Sequence, residues 1–250
     1  MAENLGILYF SSTGNSLYIA EKIKERLGGE IRYIPKYDGT GGEFERIIIV
    51  TPIYSYGLPI PALQLLDKLD KQKELIVIQN YGGMIGGADR LFYEYALKAQ
   101  LIIKSVYTLK MPENFTLFMS PPEFYKNMIL KSADSRIGKI IDAIAAKRYV
   151  IPKKKKTKER TYLKNKSNWH IIGERFSVNA KCTQCGKCIA ICPSQNISLT
   201  DGKIAFADKC IACLGCFHRC PQKAIIYKNK DNKKRYVNPL VNETDIGKDL

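Results

Sequence analysis

Apolar and polar positions along the first 150 residues fall into two alternating patterns. Residues 5–10 (LGILYF), 46–51 (RIIIVT) and 74–79 (ELIVIQ) are short, nearly continuous apolar runs. That is the pattern of strands covered on both faces. Residues 31–34 and 103–109 are further strand candidates. Between the runs the period becomes helical. LYIAEKIKERLGG places Leu17, Ala20, Ile23 and Leu27 on one face and stops at Gly28 and Gly29. Residues 61–69, 88–100 and 132–148 also read as helices, whereas 35–45 are glycine-rich and too short for one. Strands alternating with helices predict an α/β fold, a doubly wound parallel sheet in the order 2-1-3-4-5.

Three loops follow strands and so share the carboxyl edge of that sheet, where open α/β folds bind ligands. The first is Ser11, Ser12, Thr13, Gly14, Asn15 and Ser16. Strand, hydroxyl-rich loop and helix bring N–H groups and the positive end of the helix dipole together, an arrangement suited to phosphate. The loop has neither the G-K-[ST] of a P-loop nor a G-x-G-x-x-G. It resembles the FMN phosphate loop of flavodoxins, and the plain alternative is a polar helix cap. The second loop is Pro52, Ile53, Tyr54, Ser55, Tyr56 and Gly57; the third is Asn80, Tyr81, Gly82 and Gly83. Tyr54, Tyr56 and Tyr81 offer flat faces to a flavin ring, and the glycines let backbone approach it. Each tyrosine alone could equally be packing. The three loops together predict FMN.

All eight cysteines lie between Cys182 and Cys220. Cys182, Cys185, Cys188 and Cys192 read C-x2-C-x2-C-x3-C-P, and Cys210, Cys213, Cys216 and Cys220 repeat the spacing. This is the bacterial ferredoxin signature for two 4Fe–4S clusters, in which the fourth cysteine ligates the other cluster. Cluster I is assigned to Cys182, Cys185, Cys188 and Cys220, and cluster II to Cys210, Cys213, Cys216 and Cys192. Zinc leaves no role for the third evenly spaced cysteine, and disulfides need an oxidising compartment. Apolar residues among the cysteines (Ile189, Ile191, Ile211, Leu214, Phe217) are expected to cover the clusters. His218, Lys187 and Lys209 read as solvated surface.

Net charge is +16, and its distribution matters more than its size. Residues 1–146 hold 17 basic and 16 acidic residues, 147–176 hold 11 and 2, and 177–250 hold 12 and 6. Cluster thiolates offset part of the last figure, so the excess sits in 152–166 (PKKKKTKERTYLKNK). That run reads as a flexible tether or as a stripe that steers an acidic redox partner. It lacks the aromatic interleaving of a nucleic-acid binder. Trp169, Ile171, Ile172 and Phe176 are expected to dock it. The expected layout is residues 1–150 for FMN, 151–176 as basic linker, 177–230 for the clusters and 231–250 as polar tail. No run is long and apolar enough for a transmembrane helix, and no leader precedes the first strand, which predicts a cytoplasmic protein.

With S-S-T-G-N-S, P-I-Y-S-Y-G-L-P, M-P-E-N-F (residues 111–115) and both cysteine sets, the chain resembles the flavodoxin–ferredoxin fusion family over nearly all of residues 5–228. The resemblance implies FMN, two 4Fe–4S clusters and electron transfer. It names no substrate and leaves oligomeric state open, a homodimer included. Carriers of these two kinds are usually acidic and this chain is basic, which points to redox partners with acidic docking surfaces. The leading expectation is a relay coupling one- and two-electron partners, a carrier more than an enzyme. The alternatives are a ferredoxin-fed flavoenzyme acting on a small molecule and an iron–sulfur redox sensor.

Overall fold

The computed structural model describes residues 4–250. Strands β1 (Leu5–Tyr9), β2 (Glu30–Tyr33), β3 (Arg46–Pro52), β4 (Glu74–Tyr81) and β5 (Ile102–Lys110) form one parallel sheet. Its order is β2-β1-β3-β4-β5, as the sequence predicts. Direction across the sheet reverses between β2 and β3. Right-handed crossovers therefore place α1 (Asn15–Leu27) on one face and α2 (Ile60–Lys68) and α3 (Ala88–Lys98) on the other. A further helix, α5 (Ala133–Ala145), packs on α1 through buried Ile137, Ile141 and Ile144. Residues Ile47, Ile48, Ile49 and Val50 of β3 are all fully buried between the two layers.

Helix α4 (Glu123–Lys131) lacks a clear apolar stripe in sequence, because Phe124 and Met128 face outward. Only Lys126 and Ile129 of that helix are buried.

The basic stretch is not a free tether. Its second half lies in α6 (Glu159–Ser167), followed by α7 (His170–Glu174), and is pinned to the sheet edge. The Tyr162 ring fills the space beside Gly57, where a Cβ would come within 2.4 Å of it. Its hydroxyl donates to the Leu58 carbonyl at 2.8 Å. Trp169 meets Tyr54 and Tyr162 edge-on, with centroids 6.1 and 6.2 Å away. Tyr162 and Trp169 are the only fully or nearly buried side chains of α6 and its C-terminal boundary, so the lysines stay outside while two aromatic anchors hold the segment.

The cluster unit pairs β6 (Phe176–Val178) with β9 (Ile225–Tyr227), and β7 (Ile197–Thr200) with β8 (Lys203–Phe206), both antiparallel. The second pair turns at Asp201 and Gly202, both left-handed, as a tight hairpin turn requires. Short helices α8 (Lys187–Ala190) and α9 (Gly215–His218) follow the two cysteine loops. The segment after β9 returns to the sheet. Leu250 exchanges backbone bonds of 2.9 Å with Ile31, and Asp249 accepts from the Tyr33 N–H at 2.7 Å, so edge strand β2 is covered. This segment, polar and uninformative in sequence, joins the two halves of the molecule. Among the described residues no helix is long and apolar enough to cross a membrane.

Candidate functional site

Ser11, Ser12, Thr13, Asn15 and Ser16 are all buried at the start of α1. Gly14 caps the helix in the left-handed region (φ 94°), and its N–H donates to Ser11 Oγ at 2.9 Å, closing the turn. Among the described residues the N–H groups of Ser12, Thr13, Asn15 and Ser16 find no acceptor. Asn80 Nδ2 donates to Ser16 Oγ at 2.7 Å, and Asn114 Nδ2 reaches Thr13 Oγ1 at 3.2 Å. These residues line a small cavity with Pro52, Ile53, Tyr81, Gly82, Pro112 and Glu113, and no lysine or arginine lines it. Buried N–H donors without acceptors, beside hydroxyls, fit an anion held without a cation.

A larger cavity of about 750 Å³ continues from it and shares Ile53, Tyr81, Gly82, Glu113 and Asn114. Tyr54, Ser55, Tyr56 and Gly83, assigned to the flavin from the sequence, line it. Residues Tyr54 to Gly57 form a tight turn closed by two 2.9 Å backbone bonds, with Ser55 and Tyr56 both left-handed (φ 50° and 73°). Such non-glycine strain accumulates at functional loops. Gly82 is required for close approach, since a Cβ there would lie 2.4 Å from Glu113 Cα. Two predicted residues play other parts. Gly57 lines neither cavity and instead receives Tyr162; Gly14 backs against Val241 and Asn238.

Sequence reasoning missed much of the remaining wall. Glu113, Asn114, Phe115, Phe118 and Met119 come from the stretch after β5. Asn165, Asn168, Trp169, Ile171, Ile172 and Arg175 come from α6, α7 and the turn into β6. The M-P-E-N-F stretch after β5 lies on the same sheet edge as the other loops, which is the signal that could have found the first group. Of the second group, Trp169, Ile171 and Ile172 stand out in the sequence as apolar docking residues, and nothing local marks Asn165, Asn168 or Arg175.

The cysteine unit repeats in three dimensions. Gln184 and Ala212 share a left-handed backbone (φ 57° and 55°), as do Gln195 and Lys223 (φ 51° and 52°). Cys182 and Cys210 Sγ each accept an N–H two residues on, at 3.4 Å. Cys192 and Cys220 Sγ each accept one four residues on, at 3.3 Å. N–H groups turned toward sulfur suit a cage that must carry thiolate charge. Cys182, Cys185, Cys188 and Cys220 line one common cavity. Burial raises the Cys188 thiol, and Cys220 and Cys182 add to the shift. Burial likewise pushes Cys213 up to about 12, with Cys210 and Cys192 contributing. The fourth cysteine of each set thus sits with the first three of the other. Among the described residues no three His, Cys, Asp or Glu side chains converge on a single metal ion.

The two sites touch. Ala212, between Cys210 and Cys213, lines the large cavity. A Cβ on Gly215 would lie 3.5 Å from Ser12 Cβ and 3.8 Å from Cys213 Sγ. Burial holds the phenols of Tyr54 and Tyr33 well above their ordinary value, and Cys213 is the next contributor to both. Gly173 also faces the cage, since a Cβ there would lie 2.5 Å from Cys210 Cβ.

Two expectations need correction. His218 is 4% exposed, not a surface residue. Its Nδ1 accepts from the Tyr236 N–H at 3.1 Å, which makes Nε2–H the donor to the Asn114 carbonyl at 2.7 Å. Burial lowers it to about 4, so it is neutral at pH 7. Lys187 is half-buried in an ion pair with Glu243 at 2.5 Å.

Residues 181–226 match the family described as 4Fe-4S dicluster domain. Several solved structures resemble the parallel-sheet part. A flavoprotein from Lactobacillus acidophilus in complex with FMN is 21% identical, with a TM-score of 0.38, over 43% of this chain and 93% of its own. A Fusobacterium nucleatum flavodoxin bound to flavin mononucleotide is 20% identical, with a TM-score of 0.42, over 58% and 98%. Rubredoxin oxygen:oxidoreductase from Desulfovibrio gigas is 14% identical, with a TM-score of 0.37, over 59% of this chain and 37% of its own. No curated protein matches the chain. With its 2-1-3-4-5 sheet followed by a 4Fe-4S dicluster domain, the chain has the make-up of a flavodoxin–ferredoxin fusion.

Proposed function

We propose that this protein relays electrons between FMN and two 4Fe–4S clusters, coupling one-electron and two-electron partners. The three loops at residues 11–16, 52–57 and 80–83 would hold the flavin. Cys182, Cys185, Cys188 and Cys220 would ligate one cluster, and Cys210, Cys213, Cys216 and Cys192 the other. FMN exchanges electrons singly or in pairs, and each cluster exchanges one. The chain's own work is placement, insulation and tuning. One observation carries the reading: the loop between Cys210 and Cys213 is itself a wall of the large cavity, through Ala212. Basic residues of 153–160 supply a docking ridge for an acidic redox partner, with Lys158 over the Tyr56 ring at 4.4 Å. Cysteines kept for metal favour the cytoplasm.

Anaerobic purification followed by iron, sulfide and flavin quantitation tests the reading. About eight irons per chain are expected, four per cluster, with FMN stoichiometric to the chain. Protein reconstituted under those conditions that retains no flavin contradicts it.

A second reading has one observation in its favour. Helices α6 and α7 roof the large cavity, and Asn165, Asn168 and Arg175 line it, as a small-molecule site over a flavin face would need. A flavoenzyme would turn over such a substrate when fed by a low-potential ferredoxin. A carrier turns over none alone, and steady NADH consumption by the purified protein would end the carrier reading.

A further inference from the structure

The loop proposed to bind the FMN phosphate is held from behind by the segment that follows the cysteines. Asn15 is the centre of that grip. Its Nδ2 donates to the Pro112 carbonyl at 2.9 Å. Its Oδ1 accepts from the Tyr236 hydroxyl at 2.7 Å and from Asn238 Nδ2 at 3.2 Å. The Asn238 N–H donates to the Thr13 carbonyl at 2.8 Å. Asn15, Tyr236 and Asn238 are all buried. Val241 closes the back of Gly14, where a Cβ would lie 2.6 Å from its Cγ2.

This grip is anchored in the cluster unit. The Tyr236 N–H donates to His218 Nδ1, between Cys216 and Cys220, and Arg219 Nη2 donates to the Glu243 carbonyl at 3.0 Å. His218 also donates to the Asn114 carbonyl, while Asn114 Nδ2 reaches Thr13 Oγ1. The loop therefore lies between two arms, both rooted beside the second cysteine set.

A phosphate site without a cation depends on N–H groups that already converge. Asn15 opens the helix, and its side chain is held by Pro112, Tyr236 and Asn238. Its value is in fixing the backbone of its neighbours. We infer that Tyr236 and Asn238 are positioning residues for the phosphate of FMN, so that recognition of that phosphate is completed by the segment beyond the cysteines. The inference rests on the FMN reading above. It explains why a chain with a polar C-terminal stretch buries Tyr236 and Asn238 against the opening of α1.

The test compares FMN with riboflavin, which carries the same ring without the phosphate. Full-length protein is stripped of flavin anaerobically and titrated with each ligand, following flavin fluorescence. Wild type is compared with Tyr236→Phe, Asn238→Ala and the double substitution, with iron content and thermal midpoint measured on each. The double variant is expected to bind FMN about tenfold more weakly, the effect of one or two lost hydrogen bonds, with riboflavin binding and iron content unchanged. Tyr236→Phe deletes one oxygen and keeps the ring; a few-fold loss confined to FMN is expected. Equal weakening of both ligands, or no change in either, overturns the inference while leaving FMN binding intact. A wild type that binds neither flavin overturns both the inference and the reading beneath it.

Discussion

The two cysteine sets share one backbone and live in different surroundings. Their left-handed positions and N–H···S bonds superpose residue for residue, at φ 57° against 55° and 3.4 Å against 3.4 Å. Around the first set, Thr183, Gln184 and Cys185 are exposed, and α8 buries nothing. Around the second, Ile211, Ala212, Leu214, Phe217 and His218 are buried. The spacing of cysteines thus encodes the cage, and the residues between them encode which side of the unit meets the flavodoxin-like domain. Thr183, Gln184 and Lys187 become Ile211, Ala212 and Gly215 at the matching positions. Burial that raises Cys213 to about 12 also means that its thiolate is costly until iron binds.

That difference can be broken by placing one change at both positions of the repeat. Ala212→Lys puts an uncompensated charge into the buried cavity wall. It is expected to cost about 3–5 kcal/mol and to strip flavin from the protein. Gln184→Lys, its counterpart on the surface, is expected to stay within about 0.5 kcal/mol. Denaturant unfolding with flavin quantitation checks both, and equal losses at the two positions would show that the repeats are not distinguished by their surroundings.

Tyr162→Ala removes the anchor that roofs the large cavity. Loss of a buried aromatic is expected to cost about 3–5 kcal/mol. Flavin retention falls and iron content does not, so the two assays separate the roof from the clusters. A smaller effect is expected at His218. His218→Ala leaves the Asn114 carbonyl and the Tyr236 N–H without partners, at about 1–3 kcal/mol, whereas its exposed repeat counterpart Ala190 accepts histidine with no measurable change in thermal midpoint. A smaller effect than at His218 is expected for Lys155→Ala, which removes a 2.7 Å ion pair between an exposed lysine and Asp89, 14% exposed. About 1 kcal/mol or less is expected. Together with neutralisation of Lys153 and Lys154, it should lower the association rate with an acidic partner at low salt and have little effect at high salt.

The sheet was legible because β1, β3 and β4 are nearly continuous apolar runs, and their loops could be placed on one edge from strand order alone. The cysteine spacing was legible for a chemical reason, since four thiolates must reach each cube. What stayed hidden was decided by distant partners. Trp169 was expected to dock the basic segment, but Tyr162 sits inside the lysine-rich run, and only Gly57 explains its burial. His218 looked like surface because its two hydrogen-bond partners lie 104 and 18 residues away. Tyr236 and Asn238 stand in a polar stretch whose partner, Asn15, lies 221 and 223 residues earlier. Side chains that close one domain over another leave no local period to read.

In the relay proposed above, the second cysteine set is the side of the unit that serves the flavin. That role is tested most directly by flash photoreduction of anaerobic, fully loaded protein, following flavin absorbance as electrons redistribute. Wild type is compared with Cys185→Ser, in the exposed set, and Cys213→Ser, in the buried one. Electron arrival at the flavin should persist in Cys185→Ser and collapse in Cys213→Ser. Equal rates in the two variants, or faster arrival in Cys213→Ser, would contradict the account.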